Sequence, residues 1–337
     1  MGPVEALERI VYLLDRDLAP APKAKAFLRA AEVVAATDPD ELLRLHHQGR
    51  LQELPGVGES TGGAIGEALD GRVPAYLARL EETTVIPMGE GAEMRAALRG
   101  DCHTHSLWSD GGAPIETMAR AAGALGHEYM VLTDHSPRLT IAHGLSPERL
   151  AAQLDEVAAV NEAVAPFRVL TGMEVDILED GSLDLADELL AGLDVVVASV
   201  HSKLSMDERA MTRRMVTAVA NPNVDILGHC TGRKVVGKGR PQSRFDPELV
   251  FAACARFDTA VEINCRPERA DPPEELLTLA LDWDCRIAID TDAHAPGQLE
   301  WQPYGCDKAA RCGVPVEAVV NAMGADDLVA WAASHPG

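Results

Sequence analysis

The amino-acid sequence predicts an α/β barrel preceded by a small all-α domain, and three observations carry that reading. From Gly100 onward, short apolar runs alternate with helical segments, the pattern of a parallel sheet. Almost every one of those runs is followed at once by a histidine or a carboxylate. Residues 5–82, in contrast, carry helical periodicity throughout.

In chain order, VEALERIVYLLD, KAKAFLRAAEVVAA and DELLRLHHQGRLQEL place apolar residues three and four apart, with Pro and Asp between the segments. LPGVGESTGGAIGEAL then reads as a tight Gly-rich turn opening a further helix. Residues 83–99, with Pro87, Gly89 and Gly91, read as a connector. The expected division is a helical domain at 1–84, a linker at 85–99 and a barrel at 100–337. Candidate strands are 100–105, 128–134, 168–175, 194–201, 224–229, 259–264 and 286–291, and helical segments include 114–125, 146–164, 205–220, 246–257 and 272–283. Seven strands whose carboxyl ends all carry polar chemistry favour a closed or nearly closed barrel over an open sheet. Active sites of α/β folds lie at that end.

At 337 residues the chain is long enough for two domains, one with a full core. No apolar stretch approaches a membrane span, and the start lacks the basic and apolar regions of a signal peptide, so a cytoplasmic protein is expected. Seven cysteines form no CxxC pair and fit reduced thiols better than a disulfide framework. The formal charge is −23. Residues 1–99 hold 11 Lys and Arg against 16 Asp and Glu, net −5, and residues 100–337 hold 19 against 37, net −18. That balance opposes passive attraction to nucleic acid or anionic membrane. Bound divalent cations would invert the local potential at a site.

Nine ligand-type residues follow the apolar runs: His103, His105 and Asp110, then His135, Glu174, His201, His229, Asp292 and His294. Side chains two apart on a strand face the same way, so His103 and His105 point together, and Asp292 and His294 repeat the spacing. Three carboxylates and six imidazoles exceed what one ion needs. The supply fits two or three ions, the arrangement that activates water and holds both oxygens of a phosphoryl displacement. A lone buried histidine is more often satisfied by hydrogen bonds, but nine ligand types at seven places on one rim set that reading aside. His46 and His47 read as a solvated helix end, His127 as a residue before a strand and His335 as tail, while His143 lies on a loop near the site. Cys102 alternates with the ligand face and packs. Arg233 and Arg269 follow two strands at the same rim, where a guanidinium can grip phosphate oxygens, and Lys203 follows His201. Surface ion pairing in an acidic protein is the competing account of both arginines.

The ordered set HTH, D, DH, E, H, H and DAH resembles the signature of the polymerase and histidinol phosphatase (PHP) family over residues 100 to about 333. That resemblance implies a distorted (β/α)7 TIM-like barrel and a trinuclear metal site. Within the family, RGDCHTHSLWSDG, GMEVDILEDGSLD, VVVASVHS, NPNVDILGHCTGR and VEINCRPERAD resemble successive blocks of the carboxyl-terminal domain of bacterial family-X DNA polymerases. The resemblance implies one ion at His103, His105, Glu174 and Asp292. A second would share Glu174 and add His201 and His229, and a third would use Asp110, His135 and His294. The metal is expected to be Mn or Zn, with Fe also suited to imidazole and carboxylate. Cys230, Cys265 and Asp290 depart from the family pattern. Asp290, on the same predicted strand face as Asp292, is expected to support the ligands from behind.

Gly56, Val57 and Gly58 allow a turn whose backbone N–H groups can face a phosphate ahead of a helix amino end. This is the helix-hairpin-helix pattern of sequence-independent DNA contact. Residues 5–82 resemble the small amino-terminal domain of the same polymerases. The lysine positions that form a Schiff base in some members fall on Ser60 and Ala64, so lyase chemistry is not expected. The polymerase palm has no counterpart between the two regions, so nucleotide polymerisation is not expected either. These readings imply a metal-dependent phosphoesterase acting on DNA ends as a 3′–5′ exonuclease, a 3′-phosphatase or an abasic-site nuclease. The alternatives are a small-molecule phosphatase of the histidinol-phosphatase type and a non-catalytic metal-binding repair scaffold.

Overall fold

Apolar residues at three- and four-residue spacing fold the first part of the chain into five helices: α1 (Pro3–Arg16), α2 (Ala21–Ala36), α3 (Pro39–His47), α4 (Glu59–Leu69) and α5 (Ala75–Thr83). Pro3, Pro22 and Pro39 sit in first turns, where a missing N–H removes no helical bond. Asp38 caps α3 by accepting from Asp40 N at 3.0 Å and Glu41 N at 3.2 Å. Leu7, Ile10, Leu14, Phe27, Ile65 and Leu77 form the buried centre of this unit. Each such side chain contributes about 1.5–3 kcal/mol relative to exposure.

The computed structural model describes residues 1–335 and divides into two compact units at Met1–Ile86 and Pro87–Gly337. The expected linker 85–99 therefore needs correction. It contains α6 (Ala92–Ala97), Met94 and Leu98 are buried, and Gly91 N donates to Asp307 Oδ1 at 2.8 Å. Everything from Pro87 belongs to the second unit. Among the described residues no helix is long and apolar enough to cross a membrane.

The second unit is a seven-stranded parallel sheet in sequential order: β1 (Gly100–Thr104), β2 (Tyr129–Leu132), β3 (Arg168–Asp176), β4 (Val195–Ser199), β5 (Ile226–Leu227), β6 (Ala260–Asn264) and β7 (Ile287–Asp290). Except for the exposed start of β3 at Arg168 and the half-exposed Thr171, every strand residue is buried, as expected of a sheet covered on both faces. The cover includes α7 (Ile115–Ala124), α8 (Pro147–Val164), α9 (Asp187–Leu190), α10 (Glu208–Val219), α11 (Pro247–Phe257), α12 (Glu274–Asp282), α13 (Gln302–Arg311) and α14 (Ala325–Ala332). Side chains help close the ring between β1 and β7. Asp290 Oδ1 accepts from Cys102 N at 2.8 Å, Thr291 N donates to the Asp101 carboxylate at 3.3 Å, and His105 N donates to Ala293 O at 2.8 Å.

Asp290 thus does something other than expected. β7 ends at Asp290, and Asp292 takes φ +53°, so the period-two relation between them breaks. Asp290 turns to the β1–β7 seam, where Asn321 Nδ2 also donates to it at 2.7 Å. Burial, with Asp101 and Glu262 nearby, pushes its carboxyl well above the usual range. His335 also departs from the tail reading: its side chain is buried and its Nε2 lies 2.9 Å from Asp225 Oδ1.

Candidate metal centre

The parallel order brings the carboxyl ends of all seven strands to one rim, and the nine ligand-type residues lie there. His103 is in β1 and Glu174 in β3, while His105, His135, His201, His229, Asp292 and His294 stand within the first few residues after their strands. Glu174 is the hub. Its Oε2 lies 2.8 Å from His135 Nδ1, 3.3 Å from His103 Nε2 and 3.6 Å from His105 Nε2. Its Oε1 lies 2.9 Å from His229 Nε2 and 3.1 Å from His201 Nε2. Asp292 Oδ1 stands 3.3 Å from His105 Nε2, and Asp110 Oδ1 stands 3.4 Å from His135 Nε2 and 3.3 Å from His294 Nε2. Side-chain exposure rises from 0–2% at His103, His105, Glu174 and Asp292 to 20% at His294 and 36% at Asp110. The cluster opens to solvent on the Asp110 side.

These atoms are close but poorly bonded. His103 Nε2, both ring nitrogens of His105 and His201, His135 Nδ1 and Glu174 Oε2 are buried without a hydrogen bond among the described residues. Buried polar atoms left unpaired are rare, and here their lone pairs converge. Three sets fall within ligand reach: His105, Asp110, His135 and His294; His103, His105 and Glu174; and His135, Glu174 and His201. The donor set therefore fits divalent cations on the orphaned atoms alone. Burial, then the charges of His294 and His135, hold His105 well below its ordinary value, so it presents a neutral imidazole. Burial alone would raise Glu174. His201, His103 and His135 instead hold it well below the carboxylate range, so it stays ionised.

Two further carboxylates and an amide orient these groups; of them Glu262 and Asn264 are not evident from the sequence. Glu262, fully buried in β6, accepts a hydrogen bond from His103 Nδ1 at 2.6 Å and another from His229 N at 2.5 Å. That bond fixes the His103 tautomer with its Nε2 lone pair toward Glu174. Asn264 Nδ2 donates to Glu262 Oε2 at 3.2 Å and to Asp292 Oδ2 at 3.1 Å. Asp134 accepts from Ser106 N, Ser106 Oγ, Ser109 Oγ and Gln153 Nε2, holding the loop that carries Asp110. Glu262 sits in VEIN among apolar neighbours, where only its charge inside a core strand signals a role.

The cations sort differently from expectation. Arg269 Nε is buried, lacks a hydrogen bond among the described residues, and lies 3.3 Å from Asp292 Oδ2. Arg233 donates from Nε to Arg269 O at 3.2 Å and from Nη2 to Ala270 O, so it braces the loop bearing Arg269. Lys203 is exposed at φ +54°. Arg266, not singled out in the sequence, donates from Nη1 to Asp292 O at 2.8 Å, reaches His294 Nδ1 at 2.9 Å and lies over the Trp301 ring. His143 is exposed and belongs to none of the three ligand sets. In the helical unit, Gly56 takes φ +82° with the Arg29 side chain against it. Val57 N donates to Leu54 O at 3.1 Å and Gly58 N to Thr61 Oγ1 at 2.9 Å.

Fold and cluster together define a class: a parallel α/β barrel presenting a divalent-metal ligand set at its carboxyl rim. The chain belongs to the PHP family, whose PHP domain matches residues 101–231. It is 38% identical over 234 residues to the DNA polymerase/3′-5′ exonuclease PolX of Bacillus subtilis (strain 168), covering 69% of this chain and 41% of that protein. The chain thus spans about two fifths of that relative's length. It is 31% identical over 233 residues to a probable phosphatase of Thermoanaerobacter sp. (strain X514), covering 66% of this chain and 89% of the relative. Among solved structures, histidinol phosphate phosphatase from Lactococcus lactis, complexed with zinc, L-histidinol and phosphate, aligns with a TM-score of 0.45 at 18% identity, over 64% of this chain and 94% of that one.

Proposed function

We propose that this chain is a metal-dependent phosphoesterase with a trinuclear site, and that it acts on DNA ends. The observation that carries the reading is the set of buried, unbonded ring nitrogens converging on the two oxygens of Glu174. In this account His103, His105, Glu174 and Asp292 hold one ion, Glu174, His201 and His229 a second, and Asp110, His135 and His294 a third. Mn or Zn suits these ligands, as does Fe. Bound there, such ions would lower the pKa of a water and neutralise charge on a phosphoryl group. The chain's own residues do the rest. Glu262, Asp134 and Asn264 fix ligand orientation, and the open side at Asp110 and His294 admits the ester. Arg269, whose Nε has no hydrogen bond, grips a phosphate oxygen beside Asp292.

The DNA-end reading rests on the similarity to PolX and on the Gly56–Gly58 turn with Arg29 beside it. Val57 N and Gly58 N are already used within the turn, so phosphate contact there falls to the amino end of α4 and to Arg29. A small-molecule phosphatase is the second reading. It is supported by the acidic helical unit and by the probable phosphatases whose length the chain nearly spans. A parallel assay of the purified protein with Mn on labelled single-stranded DNA and on histidinol phosphate decides between them. Shortening of the oligonucleotide from its 3′ end is the expected result. Brisk histidinol phosphate hydrolysis without DNA turnover overturns the first reading.

A further inference from the structure

Residues 231–245 (TGRKVVGKGRPQSRF) carry five basic side chains and no acidic one, in a chain of net charge −23. The segment begins two residues after His229, at the rim. It folds as a small antiparallel hairpin, with Lys234 N donating to Arg240 O at 2.9 Å and Arg240 N to Lys234 O at 2.8 Å. Gly237 and Gly239, at φ +70° and +65°, supply the turn. The hairpin is pinned to the loop after β6. Val235 N donates to Glu268 O at 2.7 Å, and Arg233 donates to the carbonyls of Arg269 and Ala270. Arg240 Nε donates to Gly232 O at 2.6 Å. Arg233 and Arg240 are thus braces, while Lys234, Lys238 and Arg244 are exposed, as are Val235 (55%) and Val236 (58%).

The loop that receives the hairpin also carries Arg266 and Arg269, the two cations beside Asp292. Burial and the charges of Arg269, Arg240 and Arg266 hold the Lys234 ammonium below its ordinary value, with only Glu268 opposing them. Lys234, Arg240, Arg269 and Arg266 therefore lie near one another, with Glu268 paired to Arg266, and the last two arginines stand beside Asp292 at the cluster. Holding like charges together is unfavourable unless a polyanion lies along them. In the proposed function Arg269 grips one phosphate at the rim. Exposed cations farther out, at Lys234 and Lys238, suit a substrate with further phosphates.

We propose that the 233–240 hairpin guides the phosphodiester backbone of a single nucleic-acid strand whose end lies at the cluster. Lys234 and Lys238 contact backbone phosphates, and Val235 and Val236 pack against sugar or base faces. The proposal rests on the DNA-end reading, and the experiment separates the two. In the full-length protein, Lys234→Gln/Lys238→Gln is compared with wild type for binding a fluorescein-labelled single-stranded oligodeoxynucleotide in EDTA across a salt series. Hydrolysis of the oligonucleotide and of p-nitrophenyl phosphate is then measured with Mn. The variant should bind more weakly, with its log–log salt slope shallower by about 1.4, at ~0.7 for each phosphate that a lysine no longer neutralises. Its p-nitrophenyl phosphate kcat/KM should equal wild type, and Lys234→Arg/Lys238→Arg should restore binding. An unchanged slope and affinity overturns the guide, as does an equal loss on p-nitrophenyl phosphate. If the lysines govern binding but wild type degrades no DNA with Mn, the guide stands and the DNA-end reading falls.

Discussion

Replacing Glu262 with glutamine changes one heavy atom in a fully buried side chain, yet it should weaken metal binding. The carboxylate accepts on both sides: from His103 Nδ1 at 2.6 Å, and from His229 N at 2.5 Å with Asn264 Nδ2 at 3.2 Å. An amide can accept on only one. With its oxygen toward His103, its NH2 meets the His229 N–H, leaving a buried donor unpaired at about 1–3 kcal/mol. With its oxygen toward His229, its NH2 donates to His103 Nδ1 and moves the ring proton to Nε2, the atom that faces Glu174 Oε2 at 3.3 Å. Either arrangement damages the site. Loss of such an orienting partner costs about 10–100-fold in metal affinity, or about 1.4–2.8 kcal/mol. Competition of Mn with a chelating dye measures the affinity, and thermal melts in EDTA measure the folding cost. Glu262→Gln should need about 10–100-fold more Mn for half-maximal turnover. Wild-type Mn affinity in a folded Glu262→Gln protein would refute the assignment of Glu262 as the residue that sets the His103 tautomer.

Glu174→Ala should abolish turnover more completely than His201→Ala or His229→Ala, since its two oxygens face five ring nitrogens; kcat at saturating Mn is the readout, and near-normal activity would exclude Glu174 as a shared ligand. Removing residues 1–86 should leave a folded barrel that hydrolyses p-nitrophenyl phosphate at the wild-type rate, because each unit has its own buried cluster and all nine ligand types lie beyond residue 100. Its oligonucleotide affinity should fall, with the loss in the salt-sensitive part; equal DNA activity in both proteins contradicts a DNA role for the helical unit. Burial, then the Arg95 guanidinium, lowers His127 to about 4 from an unfolded value of ~6.5. The folded pKa is depressed, so the stability contribution is full above pH ~6.5 and is lost as pH falls toward 4, by about 3 kcal/mol in total. His127→Gln should flatten the melting temperature across that window; an unchanged acid dependence counts against the assignment.

The barrel was legible in the sequence because its strands are continuous apolar runs and its ligands recur at their ends. The expected strands 128–134 and 194–201 each became a strand at the expected place but shorter, as YMVL (Tyr129–Leu132) and VVVAS (Val195–Ser199). β5 was harder. Six residues read as strand, but only Ile226 and Leu227 pair; Gly228 N still donates to Ala198 O at 2.9 Å, and His229, at φ +20°, leaves the strand conformation. The supporting shell was hidden for a different reason. Glu262 and Asn264 act through partners distant in sequence, and no local pattern distinguishes them from other polar residues near a strand end, whereas Asp134 stands directly before His135. Asp290 misled because strand periodicity was extended past the point where Asp292 turns to positive φ. Arg233 and Arg269 looked equivalent in sequence, and only the carbonyls of Arg269 and Ala270 reveal that one braces the other. α6 was missed because Pro87, Gly89 and Gly91 dominate its surroundings, although Met94 and Leu98 supply an apolar face.

The central claim is that six imidazoles and three carboxylates at one barrel rim hold three ions. Elemental analysis of the protein reconstituted in excess Mn or Zn and freed of unbound metal, combined with anomalous diffraction at the metal edge, tests it directly. Three ions per chain are expected: one near His103, His105 and Asp292, one near His201 and His229, and one near Asp110, His135 and His294. One ion or none per chain would contradict the account.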